Sequence, residues 1–135
     1  MTPHAPAKPL KTPKTHEPSA ADYFIAKLKY EMSPYGLNAL MEEGASGYLV
    51  IDVRSSEEYD AGHIHGALNI PLVDLPKMLS EIPKDKTVVT YCGSITCQLA
   101  PKAALELAQK GYTVMELHGG FREWQSYGYP VEKTA

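Results

Sequence analysis

No stretch of this 135-residue sequence is apolar and long enough to span a bilayer. The start, MTPHAPAKPLKTPKTHEP, also has no apolar run of the kind a secretory signal requires. The expectation from these absences is a cytoplasmic protein with no membrane attachment. A strong charge excess is missing too, the formal net charge being −3. Lys8, Lys11 and Lys14 against Glu17 make the first twenty residues +2, which leaves −5 on the remainder. A mildly acidic body argues against a nucleic-acid groove, which needs clustered Lys and Arg. There are no internal repeats. Cysteine is scarce, with only Cys92 and Cys97 in the chain. Two thiols at this length do not make a disulfide scaffold, and a reducing cytosol disfavours a static bridge.

What is present fits one soluble domain. Hydrophobic residues at 44% and charged residues at 21% are ordinary for a globular chain long enough to bury a core but too short for two domains. Residues 1–18 are rich in Pro, Lys and Thr and read as a disordered tail. Residues 19–44 read as an N-terminal helical extension. Ser19 with Asp22 makes a capping-box start, and Ala21, Ile25, Leu28 and Met32 recur at helical spacing. Ser33 then caps a second helix with Pro34 at its first position, Leu37, Leu40 and Met41 on one side, and Gly44 as its stop.

From residue 45 the pattern changes. YLVIDV (48–53) is apolar and β-branched without alternation, as a strand buried on both faces would be. ALNI (67–70) predicts a short strand and 72–82 a helix. TVVTY (87–91) predicts a second buried strand. Residues 98–110 predict a helix with Gln98, Lys102, Glu106 and Gln109 in one polar stripe, closed by Gly111. TVMEL (113–117) predicts another strand, and a short helix follows around Arg122–Tyr127. Strands alternating with helices imply an α/β fold with right-handed crossovers.

Both thiols lie in YCGSITCQL, at the end of TVVTY and before the next helix. Three readings compete: a metal clip, a structural disulfide, or one reactive thiol with a companion. C-x4-C is within zinc spacing, but a closed site needs four ligands. His63 and His65 sit in a single loop, with no H-x3–5-H and no second cysteine pair to join them. No metal is expected. In open parallel sheets ligands bind where strands end and helices begin. Successive N–H groups curling into a helix N-terminus form an anion nest, and a thiol in that field ionises more easily than its ordinary pKa of about 8.5. Cys92 therefore reads as a nucleophile in an anion cradle. The phosphatase pattern C-x5-R does not fit, because the sixth residue after Cys92 is Gln98 and no Arg lies between residues 92 and 121.

Three ordered motifs resemble the rhodanese-like family. DVRSSEEYDAGHIHGALNIP (52–71) is similar to its D-x-R-x-x-x-E-[FY]-x-x-G-H-I-x-G-A segment. VVTYCGSITC is similar to its strand and cysteine loop. GYTVMELHGGFREWQSYGYPV (111–131) is similar to its closing G-G-x-x-x-W segment. Together they cover roughly residues 45–132. The resemblance implies a rhodanese-like three-layer α/β domain over 45–132, a central mostly parallel sheet flanked by helices. It also implies a sulfurtransferase in which the loop cysteine accepts a sulfane sulfur and passes it on. The donor would be thiosulfate, a persulfide or a polysulfide, and the acceptor a thiol or cyanide. A protein sulfur acceptor or a thiol reductant is a further candidate partner. No metal or organic cofactor is implied.

Cys92 is then the persulfide-forming nucleophile, with the amides of Gly93, Ser94, Ile95, Thr96 and Cys97 as the binding loop. Ser94 and Thr96 add hydroxyl donors. The loop departs from the family's C-x-x-G-x-R, with Ile95 and Cys97 at the Gly and Arg positions. The missing Arg argues against high thiosulfate activity. Cys97 is the candidate resolving thiol, which opens a second reading as a thiol redox switch or persulfide carrier. Asp52 and Arg54 are expected to tie loop 54–66 together, with Arg54 paired to Glu58. His63 reads as a loop organiser and His65 as solvent-facing. Gly119 and Gly120 read as points of close backbone approach and Trp124 as core. Arg122 is a candidate substitute for the missing loop cation.

Overall fold

The computed structural model describes residues 17–134 of the chain. Apart from its last two residues, the expected disordered tail lies outside the described residues. Elements run α1 (Ala20–Tyr30), β1 (Glu31–Met32), α2 (Pro34–Glu42), β2 (Tyr48–Asp52), α3 (Ser56–Ala61), β3 (His63–Ile64) and β4 (Leu68–Asn69). They continue with α4 (Leu75–Met78), β5 (Thr87–Tyr91), α5 (Leu99–Gln109), β6 (Thr113–Leu117), α6 (Gly120–Ser126) and β7 (Val131–Glu132). Among the described residues no helix is long and apolar enough to cross a membrane.

The main sheet has five strands in the order β1-β6-β5-β2-β4, all neighbours parallel. This is the α/β fold expected from the alternating elements. Val50 and Ile51 of β2, like Val88 and Val89 of β5, are almost fully buried and point to opposite faces. One face packs against Leu75 of α4 and Ala103 and Leu107 of α5. The other packs against Leu37 of α2 and Phe121 and Trp124 of α6. Continuous apolar strands and two helical layers are thus one fact seen twice.

Both N-terminal helices start where their caps indicate. Ser19 and Asp22 exchange capping-box hydrogen bonds, and the Ser33 hydroxyl accepts from the amide of Gly36. Their apolar faces fare differently. Leu37 is fully buried, whereas α1 buries nothing, and Ile25 and Leu28 are exposed. Met32 is not helical, because the chain leaves α1 at Glu31 to add β1 to the edge of β6. Residues 31–42 therefore share the sheet and core of the residues that follow.

Three further differences have local causes. Residues 72–82 hold only one α turn between two 3-10 turns, interrupted by Pro76. In α5, Glu106 is half-buried while Leu105 is exposed, so the polar stripe is rotated from the expected one. Segment 54–66 is structured. Its β3 pairs antiparallel with β7, away from the main sheet.

Arg54 is not paired with Glu58 as expected. Its guanidinium lies on Asp52, with Nη2 2.7 Å from Oδ2, and Nη2 also donates to the carbonyl of Gly62 at 2.6 Å. Glu58 instead closes a capping box with Ser55 at the start of α3. The backbone amide explains the choice, since a carboxylate at the third helical position reaches back to its own N-cap. His63 stacks on Tyr59 and bonds its carbonyl through Nδ1 at 2.7 Å, and His65 is exposed but 2.9 Å from Glu132.

Tyr91 completes the buried polar group. Its hydroxyl donates to Asp52 Oδ2 at 2.6 Å and accepts from the amide of Ile64 at 3.0 Å. Tyr91→Phe should therefore destabilise the fold by about 1–3 kcal/mol, the cost of leaving buried partners unmade. Urea unfolding measures this, and a loss under about 0.5 kcal/mol would show that the hydroxyl is replaceable.

Candidate active site

Cys92 follows β5 directly, and Gln98 stands at the N-cap position of α5 without a side-chain capping bond. The thiol is 2% exposed and sits on the floor of a cavity of about 470 Å³. Ser94, Ile95, Thr96 and Cys97 wall one side, and Leu117 to Gly120 wall another. The loop is held from behind by α6: the amides of Phe121 and Arg122 donate to the carbonyls of Cys92 and Gly93 at 2.8 and 2.9 Å. That approach is possible because residue 120 is glycine with φ +66. A Cβ there would lie 2.5 Å from the carbonyl oxygen of Cys92.

The loop's own hydrogen bonds differ from a full nest of converging amides. The amide of Cys97 closes a turn on the carbonyl of Ser94 at 3.1 Å. The Ser94 and Thr96 hydroxyls bond each other at 3.1 Å, and Ile95 is exposed. The Cys92 thiol donates to the carbonyl of Cys97 at 3.5 Å. Both cysteines are free thiols.

These surroundings correct the expected acidity. Burial, and next the Cys97 side chain, push the Cys92 thiol up to about 12, although the amides of Ala100 and Gly93 pull the other way. The anion field of the loop is real but is outweighed by loss of water around the sulfur.

A family model described as Rhodanese-like domain matches residues 33–127. The chain belongs to that family. It is similar to the HTH-type transcriptional regulator Rv0324 of Mycobacterium tuberculosis, 40% identical over 71% of this chain but only 42% of the regulator's length. It is also similar to a sulfurtransferase of Allochromatium vinosum, 39% identical over 62% of this chain and 77% of that protein. Among solved structures it resembles the BH2092 protein of Bacillus halodurans, with TM-score 0.80, 35% identity and 85% coverage of each chain.

In this rhodanese-like chain the sequence-derived residues divide into three sets. Cys92, Ser94, Ile95, Thr96 and Cys97 meet around one cavity, with Gly93 just behind. Asp52, Arg54, Glu58 and His63 support β2, α3 and β3, and none lines that cavity. Arg122 lines an adjoining cleft of about 310 Å³ that shares Ser94 to Thr96. No group of three or more His, Cys, Asp or Glu side chains among the described residues is placed to hold a metal ion.

Four titratable lining residues were not read from the sequence: Lys27, Glu31, Glu116 and His118. The i,i+4 spacing of Lys27 and Glu31 was the available signal for a pair. Their arrival at Cys92 depends on β1 pairing with β6, which the two-residue strand does not advertise.

A thiol raised this far is protonated near neutrality and gains reactivity only as pH climbs. Alkylation of Cys92 by iodoacetamide should rise about tenfold per pH unit from neutrality, with no plateau below about pH 10. Cys97→Ala removes the neighbour that helps raise the thiol and should speed alkylation at pH ~8 by at least about twofold. A profile that levels near the ordinary cysteine value of about 8.5 would contradict the burial argument.

Proposed function

We propose that this protein is a sulfurtransferase that carries a sulfane sulfur as a persulfide on Cys92. The observation that carries the reading is the position of Cys92. It lies where a parallel strand ends, on the floor of a cavity walled by its own six-residue loop. The family and its sulfurtransferase relative support the same chemistry.

The Cys92 thiolate attacks the outer sulfur of a donor. A new S–S bond forms, the donor's bond to that sulfur breaks, and the leaving group departs with the electron pair. The acceptor, a thiolate or cyanide, then attacks the outer sulfur and releases the Cys92 thiolate. Amides of Gly93 and Ala100 favour the anionic sulfur. With Cys at position 97 in place of Arg, a thiosulfate dianion lacks a fixed loop cation, so persulfides and polysulfides are the better donors. The chemistry needs a reduced thiol, in keeping with a cytoplasmic setting.

One contact favours a second reading as a redox switch or persulfide carrier. The Cys97 side chain is close enough to raise the Cys92 thiol. Its thiolate could attack the inner sulfur of a Cys92 persulfide, forming a disulfide and expelling hydrosulfide, which a thiol reductant would reverse.

Intact-mass measurement after donor treatment separates these roles. The unaltered chain and Cys97→Ser should gain about 32 Da, one sulfur on a reactive thiolate, and Cys92→Ser should gain none. Loading that persists in Cys92→Ser and vanishes in Cys97→Ser would reverse the assignment.

A further inference from the structure

The cavity over Cys92 has a charged wall on the side away from the loop. Lys27 of α1, Glu31 of β1, Glu116 of β6 and the following His118 all line it with the thiol. Parallel pairing of β1 on β6 sets Glu31 directly beside Glu116. Like charges in adjacent register repel, so the two carboxylates must be treated differently by their surroundings.

Glu31 is well supplied. Lys27 Nζ lies 2.8 Å from its Oε1 and His118 Nδ1 3.4 Å from its Oε2. Burial alone would raise Glu31, but these two hydrogen bonds outweigh it and hold the carboxyl below its ordinary value. Glu116 has no ion pair within 4.0 Å among the described residues. Burial, and then the charge of Glu31, push it above its ordinary value. A half-buried carboxylate in that condition is stabilised by any cation brought next to it.

The same geometry disposes of the cations. Lys27 is engaged by Glu31, Arg122 faces the neighbouring cleft, and position 97 is Cys. Among the described residues, an incoming oxyanion in this cavity therefore meets two carboxylates, while Lys27 and His118 are both already on Glu31.

We propose that Glu116 is a specificity-determining residue that selects sulfur donors carrying a cationic group, such as an ammonium, near the sulfane sulfur. This inference rests on the sulfurtransferase reading and narrows its substrate class to amino-thiol persulfides. The Cys92 thiolate attacks the outer sulfur of R–S–SH, the S–S bond breaks, and R–S⁻ leaves while Cys92–S–SH forms. The ammonium of R sits against Glu116 throughout and takes no part in bond making.

The test uses the full chain and three donors, the persulfides of cysteamine (cationic), 2-mercaptoethanol (uncharged) and 3-mercaptopropionate (anionic). Loading of Cys92 is followed by intact mass, each rate divided by that donor's rate with a free thiol in solution. Relative to the uncharged donor, the cationic one should load about fivefold faster and the anionic one about fivefold slower, the size of one partly screened charge contact. Added salt should flatten this order in the unaltered protein. Glu116→Gln should compress it to about twofold, and Glu31→Gln, which releases Lys27, should move it toward the anionic donor. A flat or reversed order in the unaltered chain overturns the inference while leaving sulfur loading intact. So does an order that survives Glu116→Gln in a folded variant. Failure of all three donors to load Cys92 overturns the sulfurtransferase reading and this inference with it.

Discussion

Asp52 is a carboxylate with no exposure to water, and hydrogen-bond donors from two strands' ends converge on it. An unpaired buried charge would cost several kcal/mol. Here Arg54 meets it side-on through Nε and Nη2, the Arg54 amide adds a third donor, and the Tyr91 hydroxyl a fourth. Burial, and then the charge of Asp52, keep the Tyr91 phenol protonated, so it remains a donor. The ends of β2 and β5 are thereby fastened to each other one residue before Cys92.

The same arginine reaches further. It donates to the carbonyl of Gly62 and lies 4.5 Å from the centre of the Phe121 ring. Phe121 in turn donates its amide to the carbonyl of Cys92. One ion pair thus joins the strand before the thiol, the segment leading to β3, and the helix behind the loop. Its residues stand outside the cavity, and their effect on Cys92 runs through position. A well-held, water-poor thiol is also a weakly acidic one. Thiolate formation is therefore the sensitive step of any chemistry at Cys92.

Much of this was legible in the residues. Unbroken apolar stretches such as VVTY leave no exposed face for a strand, so a parallel sheet between two helical layers follows. Gly120 marked the close backbone approach to Cys92, whereas Gly119 is called for by its left-handed φ of +79 and lies against the Glu123 side chain, not the loop. Ser19 and Ser33 marked helix starts through local hydrogen bonding, and Pro34 through its fixed φ. What was not legible depends on distant pairing. Glu58 has a capping role and a salt-bridge role available at the same spacing, and only the built helix decides between them. The acidity of Cys92 was misjudged because a loop's amide field can be inferred from sequence, whereas depth of burial cannot. Lys27, Glu31, Glu116 and His118 meet at the thiol only through a two-residue edge strand, too short to carry a periodic signal.

The central claim is that Cys92 holds a transferable sulfur, and a single-turnover transfer experiment tests it most directly. The protein is loaded with an isotopically labelled persulfide, freed of donor, and mixed with a small thiol acceptor. The account predicts that label mapped to the Cys92 peptide appears on the acceptor in one-to-one amount, with the free thiol restored. Label that stays on the protein, or that maps elsewhere than Cys92, would contradict it.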